Sequence, residues 1–199
     1  HTSHGSQIVS GMSVMAGLDG LYAYSSGGGP GILSLHDRTP AGDLGNPDRT
    51  TWAQRTRDLL DAPGNDRNLI IWSWCGQASS YTQQDMIDKY LVPMSQLELD
   101  YPGIKFVYMT GHLDGTGLTG NLHVRNEQIR AYCRENGKIL YDFADIESYN
   151  PDGVYFGNKN PDDGCNYDTD GNGSRDGNWA LEWQNAHTEG VDWFSCSAA

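Results

Sequence analysis

Asn68-Leu69-Ile70-Ile71-Trp72-Ser73-Trp74 is a continuous apolar run broken only by one small polar residue. Unbroken apolarity marks a strand covered on both faces, and so a central strand of a parallel sheet. Ile104 to Thr110 reads as the next buried strand, and Lys138 to Phe143 as a further strand. Helical spacing fills the gaps between them. Thr82 is placed to cap a helix with Met86, Ile87, Tyr90, Leu91, Met94 and Leu97 on one face, bent at Pro93. Residues 121–136 read as another helix, ended by Gly137. Thr50 or Thr51 can open an earlier helix through Leu60, stopped before Pro63 and Gly64. Strand–helix–strand alternation with short connections predicts an α/β fold, a three-layer α/β/α sandwich around a mainly parallel sheet.

Outward from this centre the signals weaken. Ile8, Val9, Met12, Met15 and Leu18 give residues 7–18 helical spacing. Residues 21–36 look extended, interrupted by a turn-forming run from Ser25 to Gly31. A last helix is expected around 178–187, with Trp179 and Trp183 one turn apart. No repeat or linker divides the chain, so residues 1–199 read as one domain with a loop insertion at about 160–178. No strand precedes the first helix. Either another segment fills that place or the sheet is expected to have an unfilled edge, which a neighbouring chain could extend by strand addition.

The formal charge of −13 excludes nucleic acid as a natural partner, since phosphate binding needs a basic face. No stretch approaches the roughly 20 apolar residues of a membrane span. The chain opens at His1 without a leader, so a leader or longer segment is expected to have preceded it. Its cysteines are Cys75, Cys133, Cys165 and Cys196. None forms a CxxC pair, which argues against zinc or thioredoxin-type chemistry. The expected pairing is Cys75–Cys133 and Cys165–Cys196, with buried thiols as the alternative.

Asp168-Thr169-Asp170-Gly171-Asn172-Gly173-Ser174-Arg175-Asp176 reads DxDxNGxxD. Oxygen donors at alternate positions suit a hard cation, and the glycine permits the sharp turn. Asp168, Asp170, Asn172, Ser174 through its carbonyl, and Asp176 are the candidate Ca2+ ligands. The twelfth position holds Trp179 instead of the usual bidentate glutamate, so Asp162, Asp163 or Glu182 would complete the shell. A structural calcium staple is expected, with a solvated acidic turn as the alternative. The calcium loop, the acidity and the four cysteines together point to an extracellular or periplasmic location.

In parallel α/β sheets, ligands bind outside the carboxyl ends of the strands. His112 and Asp114 follow the second strand, and His36 beside Asp37 follows the early extended segment. Glu182 is near in sequence to His187. All four are cleft candidates. The opening His1-Thr2-Ser3-His4-Gly5-Ser6 runs directly into a helix. That turn, the strand ending Trp72-Ser73-Trp74-Cys75-Gly76-Gln77, and a histidine close to the C-terminus resemble the SGNH (GDSL-type) hydrolases. The resemblance implies a flavodoxin-like α/β/α fold and ester hydrolysis through an acyl-serine, for instance on an acylated glycan. It makes Ser3 the nucleophile and His187 the base. Gly42 or Gly45 could fill the family's glycine oxyanion position, and Gly76 with Gln77 lies where its glycine-x-asparagine block falls, with Gln77 near the expected asparagine. The chain departs from the family in lacking GDS at its start and in carrying Gln184 three residues before the histidine, where an aspartate is usual. With that acid lost, the same fold could instead serve as a calcium-stabilised binding or assembly module.

Overall fold

The computed structural model describes residues 3–42, 44–45 and 48–196, with the side chain of Ser3 excepted. His1 and Thr2 lie outside the described residues. The chain is mixed α/β with parallel strand pairing, and divides into two units, His1–Asp43 with His187–Ala199, and Leu44–Ala186.

In the first unit, helix α1 (Ser3–Leu18) begins earlier than its apolar spacing suggests. The expected extended stretch over 21–36 is largely irregular. It holds a 3-10 turn at Gly20–Tyr22 and two short parallel strands, β1 (Tyr24–Ser25) and β2 (Leu33–Ser34). Glycines at 27–29 and 31 account for this, because a run so rich in glycine resists a regular ladder. The Tyr24 hydroxyl lies 2.5 Å from Ser13 Oγ and ties β1 to α1.

The second unit carries the sheet. Helix α2 (Thr51–Leu60) leads to β3 (Leu69–Trp72). After a 3-10 turn at Gly76–Ser80 come α3 (Gln83–Met86), a π-turn at Ile87–Leu91 and α4 (Val92–Asp100). Strand β4 (Lys105–Met109), helix α5 (Asn121–Asn136), β5 (Ile139–Tyr141) and the short α6 (Phe143–Ile146) follow. The strands pair in the order β3-β4-β5, all parallel, with Trp72 opposite Tyr108 and Met109 opposite Tyr141. Beyond them a two-stranded antiparallel pair, β6 (Asn166–Tyr167) and β7 (Gly177–Asn178), runs into α7 (Trp179–Asn185). Among the described residues no helix is long and apolar enough to cross a membrane.

Local chemistry explains the helix limits. Thr82 and Asp85 form a reciprocal capping box at the start of α3. Thr50 flanks α2 without capping it, since its hydroxyl donates to Asp48. Gly137 ends α5 in the left-handed region at φ 61°, which glycine adopts without steric cost.

Pro93 acts through a missing donor. Having no N–H, it leaves the carbonyl of Lys89 without its helical partner, and the indole N–H of Trp52 fills that place at 3.0 Å. The π-turn just before Pro93 sets Tyr90 against the sheet. The Tyr90 hydroxyl donates to Trp72 O at 2.6 Å and accepts from Met109 N–H at 2.9 Å, so it joins the last residues of β3 and β4. Trp52, Tyr90, Met86, Met94, Leu97, Phe106 and Tyr108 are all essentially inaccessible and form the centre of the core.

Replacing Tyr90 by Phe keeps the ring and leaves two buried backbone groups without this partner. A loss of about 1–3 kcal/mol is expected. Urea unfolding should show a lower midpoint at unchanged slope. A midpoint equal to wild type would exclude a role for the hydroxyl.

Candidate functional site

The carboxyl ends of β3 and β4 lie side by side, and each continues into a chemically equipped segment. After Trp72, Ser73 donates its hydroxyl to Thr110 O at 3.3 Å. The buried Trp74 and then Cys75 follow, with the 3-10 turn opening at Gly76. After Met109, the fully buried Thr110 donates to Asp142 Oδ1 at 3.0 Å. Asp142 is held by the guanidinium of Arg130 at 2.7 and 2.8 Å. Burial opposes the charge on Asp142, but Arg130 and Thr110 hold its carboxyl below the usual carboxylate range.

Gly111 is fixed next. Its N–H donates to Asn126 Oδ1 at 2.9 Å, and its carbonyl accepts from Asn126 Nδ2 at 3.1 Å. A β-carbon here would stand 3.2 Å from Leu122 Cδ1 and 3.5 Å from the carbonyl of Cys75. The absence of a side chain therefore allows the two strand ends to approach. Leu113 N–H donates to the buried Glu147 at 2.7 Å. The residue between these two fixed points is His112.

The His112 ring is oriented by its own backbone. Nδ1 lies 2.7 Å from Leu113 O, and a carbonyl can only accept, so Nδ1 carries a proton. Nε2 then borders the turn at Cys75 and Gly76, 3.9 Å from where a Gly76 β-carbon would sit. Cys75 Sγ hydrogen-bonds the ring and lies within 4.8 Å of a ring nitrogen. Asp163 Oδ2 is 3.7 Å from Nδ1. Burial disfavours the charged ring. The Cys75 hydrogen bond, the Leu113 carbonyl and the charges of Cys75 and Asp163 outweigh it and push the pKa up to about 9. Beside this point a polar cleft of about 400 Å³ is lined by His112, Asp114, His123, Asn126 and Arg130, among others.

The expected site residues are divided between the two units. Gly76 and Gln77 lie in the 3-10 turn, and Gln77 Oε1 is buried without a hydrogen-bond partner among the described residues. Asp114 borders the cleft and folds its carboxylate back onto Thr116 N–H and Oγ1. Ser3 begins α1, and its side chain lies outside the described residues. His187 belongs to the same unit as Ser3 and lies beyond the end of α7, although the sequence placed it on that helix. His36 is in that unit too, with Nε2 2.6 Å from Ser26 O. Glu182 is used locally. It accepts from Tyr167 OH at 2.9 Å and from Asn178 N–H at 3.0 Å, and so ties α7 to β6 and β7.

None of the four cysteines is in a disulfide. The expected Cys75–Cys133 pair is not formed. Cys133 faces the core from α5, whereas the Cys75 thiol is turned to His112. Nor is Cys165 bonded to Cys196. Burial pushes the Cys133 thiol up to about 11 and Cys165 up to about 12.

The loop from Asp168 to Asp176 is folded around its first aspartate. Asp168 accepts from the N–H groups of Gly171, Asn172 and Gly173 at 2.7, 3.2 and 2.8 Å, and these hold its carboxyl below the usual range. Asp170 accepts from Asn172 N–H, Asn172 from Ser174 N–H, and Asp176 from Thr169. The donor set is all oxygen, as a hard cation requires, but the aspartate carboxylates do not converge within 4.8 Å of one another. The residues expected to complete the shell have other contacts. Asp162 pairs with Arg175 at 3.0 Å, Asp163 approaches His112, and Glu182 is occupied as described. Arg175 also reaches Gly115 O at 3.4 Å, and Asp162 bridges Asp114 through the backbone. The loop is thus anchored to the segment after β4.

Sequence reasoning missed Cys75, Asn126 and Glu147 as site residues. The register would have revealed Cys75. Trp72 is opposite Tyr108, so Cys75 and His112 lie three and four residues beyond one shared rung. No family model matches the chain, and no curated protein or solved structure matches it.

His112 is expected to titrate near pH 9, above its ordinary 6.5, and lower in Asp163→Asn. A raised pKa stabilises the fold fully below about 6.5, and that contribution is lost as pH rises through about 9. Ring-proton NMR checks this, and titration at or below 6.5 would contradict the arrangement.

Proposed function

We propose that this chain is a secreted ester hydrolase of SGNH-like type on a three-layer α/β/α scaffold. The supporting observation is the meeting of the Cys75-Gly76-Gln77 turn with His112 at the carboxyl ends of adjacent parallel strands, where α/β proteins bind ligands. The cleft beside His112 offers polar groups suited to a hydroxylated acyl carrier such as an acylated glycan.

The sequence pattern assigns attack on the ester carbonyl to Ser3. His187 would take the serine proton and pass it to the departing alcohol, and water would then release the acyl group. Gly76 and Gln77 would supply N–H donors to the developing oxyanion. Calcium would be held by Asp168, Asp170, Asn172, the Ser174 carbonyl and Asp176, and would brace the loop without entering the reaction. Because this loop is anchored to Asp114 and Gly115, the brace would bear on the segment after β4.

One observation favours a second reading, a binding or self-assembly module. Strand β3 is an edge of its sheet, and Leu69 and Ile71 on it are exposed. Such an edge accepts an added strand.

Hydrolysis of p-nitrophenyl acetate is expected to fall by roughly a hundredfold or more in Ser3→Ala and in His187→Ala. Wild-type protein with no turnover, but with concentration-dependent sedimentation, would favour the module. Calcium at about a hundred times its dissociation constant should add about 2.7 kcal/mol of stability. Asp170→Asn should abolish that gain while leaving the backbone anchor at Asp168 intact. An unchanged melting temperature on adding calcium would remove the staple.

A further inference from the structure

We propose that Cys75 and His112, with Asp163 behind the ring, form a nucleophile–base pair that takes an acyl group from an ester or thioester. The pair uses neither Ser3 nor His187. It goes beyond the serine-based reading while sharing its reaction class.

Cys75 has the setting a reactive thiol needs. It follows a strand end, remains partly accessible, and its sulfur hydrogen-bonds an imidazole whose other nitrogen is already committed to Leu113 O. Asp163 stands 3.7 Å behind that committed nitrogen, and Glu147 fixes the next backbone N–H. Nucleophile, base and orienting carboxylate thus occur in the order that acyl transfer requires. The support is rigid, because Asn126 grips both backbone groups of Gly111. Asp163 places negative charge on the His112 side, which favours a charged ring facing a thiolate. Among the described residues neither Cys133, which is buried, nor Cys165, which is partly accessible, has an imidazole beside it, and burial keeps both as neutral thiols, while Cys196 is exposed.

The Cys75 thiolate attacks the carbonyl carbon and a C–S bond forms. The carbonyl π pair moves to oxygen, then returns as the bond to the leaving alkoxide or thiolate breaks. That group takes the Nε2 proton of His112. Neutral His112 next removes a proton from water, whose oxygen attacks the thioester. Collapse releases the carboxylic acid and restores thiolate and imidazolium, and the acid ionises to solvent.

Iodoacetamide is the first probe, applied to the full chain, with modified cysteines located by peptide mass spectrometry. Near pH 6.5, Cys75 should react about tenfold faster than Cys196, because an ordinary thiol has a pKa of about 8.5 and is mostly protonated there. His112→Gln should remove that advantage and leave Cys196 unchanged. If His112→Gln exposes Cys133 and Cys165 by unfolding, Asp163→Asn takes its place, with a several-fold slowing expected. A Cys75 profile that follows that of Cys196 would overturn the pair. In the second arm, p-nitrophenyl acetate should leave an acetyl group on Cys75 in wild type and in Ser3→Ala, but not in His112→Gln. An acetyl group on Ser3 alone would overturn the acyl step and leave the serine reading standing. Loss of turnover in Ser3→Ala with Cys75 still acylated would uphold both.

Discussion

The hydroxyl of Tyr90 holds together the part of the molecule where chemistry is possible. A parallel ladder stops where its strands stop, and the backbone groups at that limit need other partners. Here one buried oxygen serves two strands, as donor to Trp72 O and acceptor from Met109 N–H. Its position depends on the π-turn, and the π-turn borders a proline that leaves the carbonyl of Lys89 to be capped by Trp52. Core packing, helix irregularity and strand alignment therefore share one polar contact. The segments that lead to Cys75 and His112 start from the two residues it joins.

The strands and long helices of the second unit were legible because their signals are local. An apolar run between turn residues implies a covered central strand, which describes β4, whereas β3, expected to be central, stands at an edge of its sheet with Leu69 and Ile71 exposed; Gly137 ends α5 where a residue of positive φ is needed. The α/β class with parallel pairing follows from those signals. The π-turn was not legible, since one of its carbonyls, that of Lys89, is partnered by Trp52 from a distant helix. The irregular course over 21–36 was hidden for the opposite reason, because glycine freedom overrode the weak extended signal. Cys75 was misassigned to a disulfide because sequence records a thiol and not its neighbour. Only the rung shared by Trp72 and Tyr108 brings it to His112.

The acidic loop shows how a motif can be read correctly for composition and incompletely for geometry. Alternating oxygens were visible in the sequence, and the turns at Gly171 and Gly173 follow from it. What could not be read is that Asp168 is engaged by three backbone N–H groups of its own loop. Equally hidden was the role of Arg175, which carries the loop's position to Asp162 and Gly115. The loop is connected to the strand end bearing His112.

Strands β3, β4 and β5 pair in the order in which the chain presents them. Each pairing closes one strand–helix–strand excursion, and none waits for a distant segment. Loop-closure entropy grows only slowly with length, so these successive closures cost similar amounts. Local pairings of this kind favour rapid folding over topologies built from remote strands. The edge that carries Cys75 and His112 can therefore take shape as soon as two consecutive strands have met, before the acidic loop or its hairpin has formed.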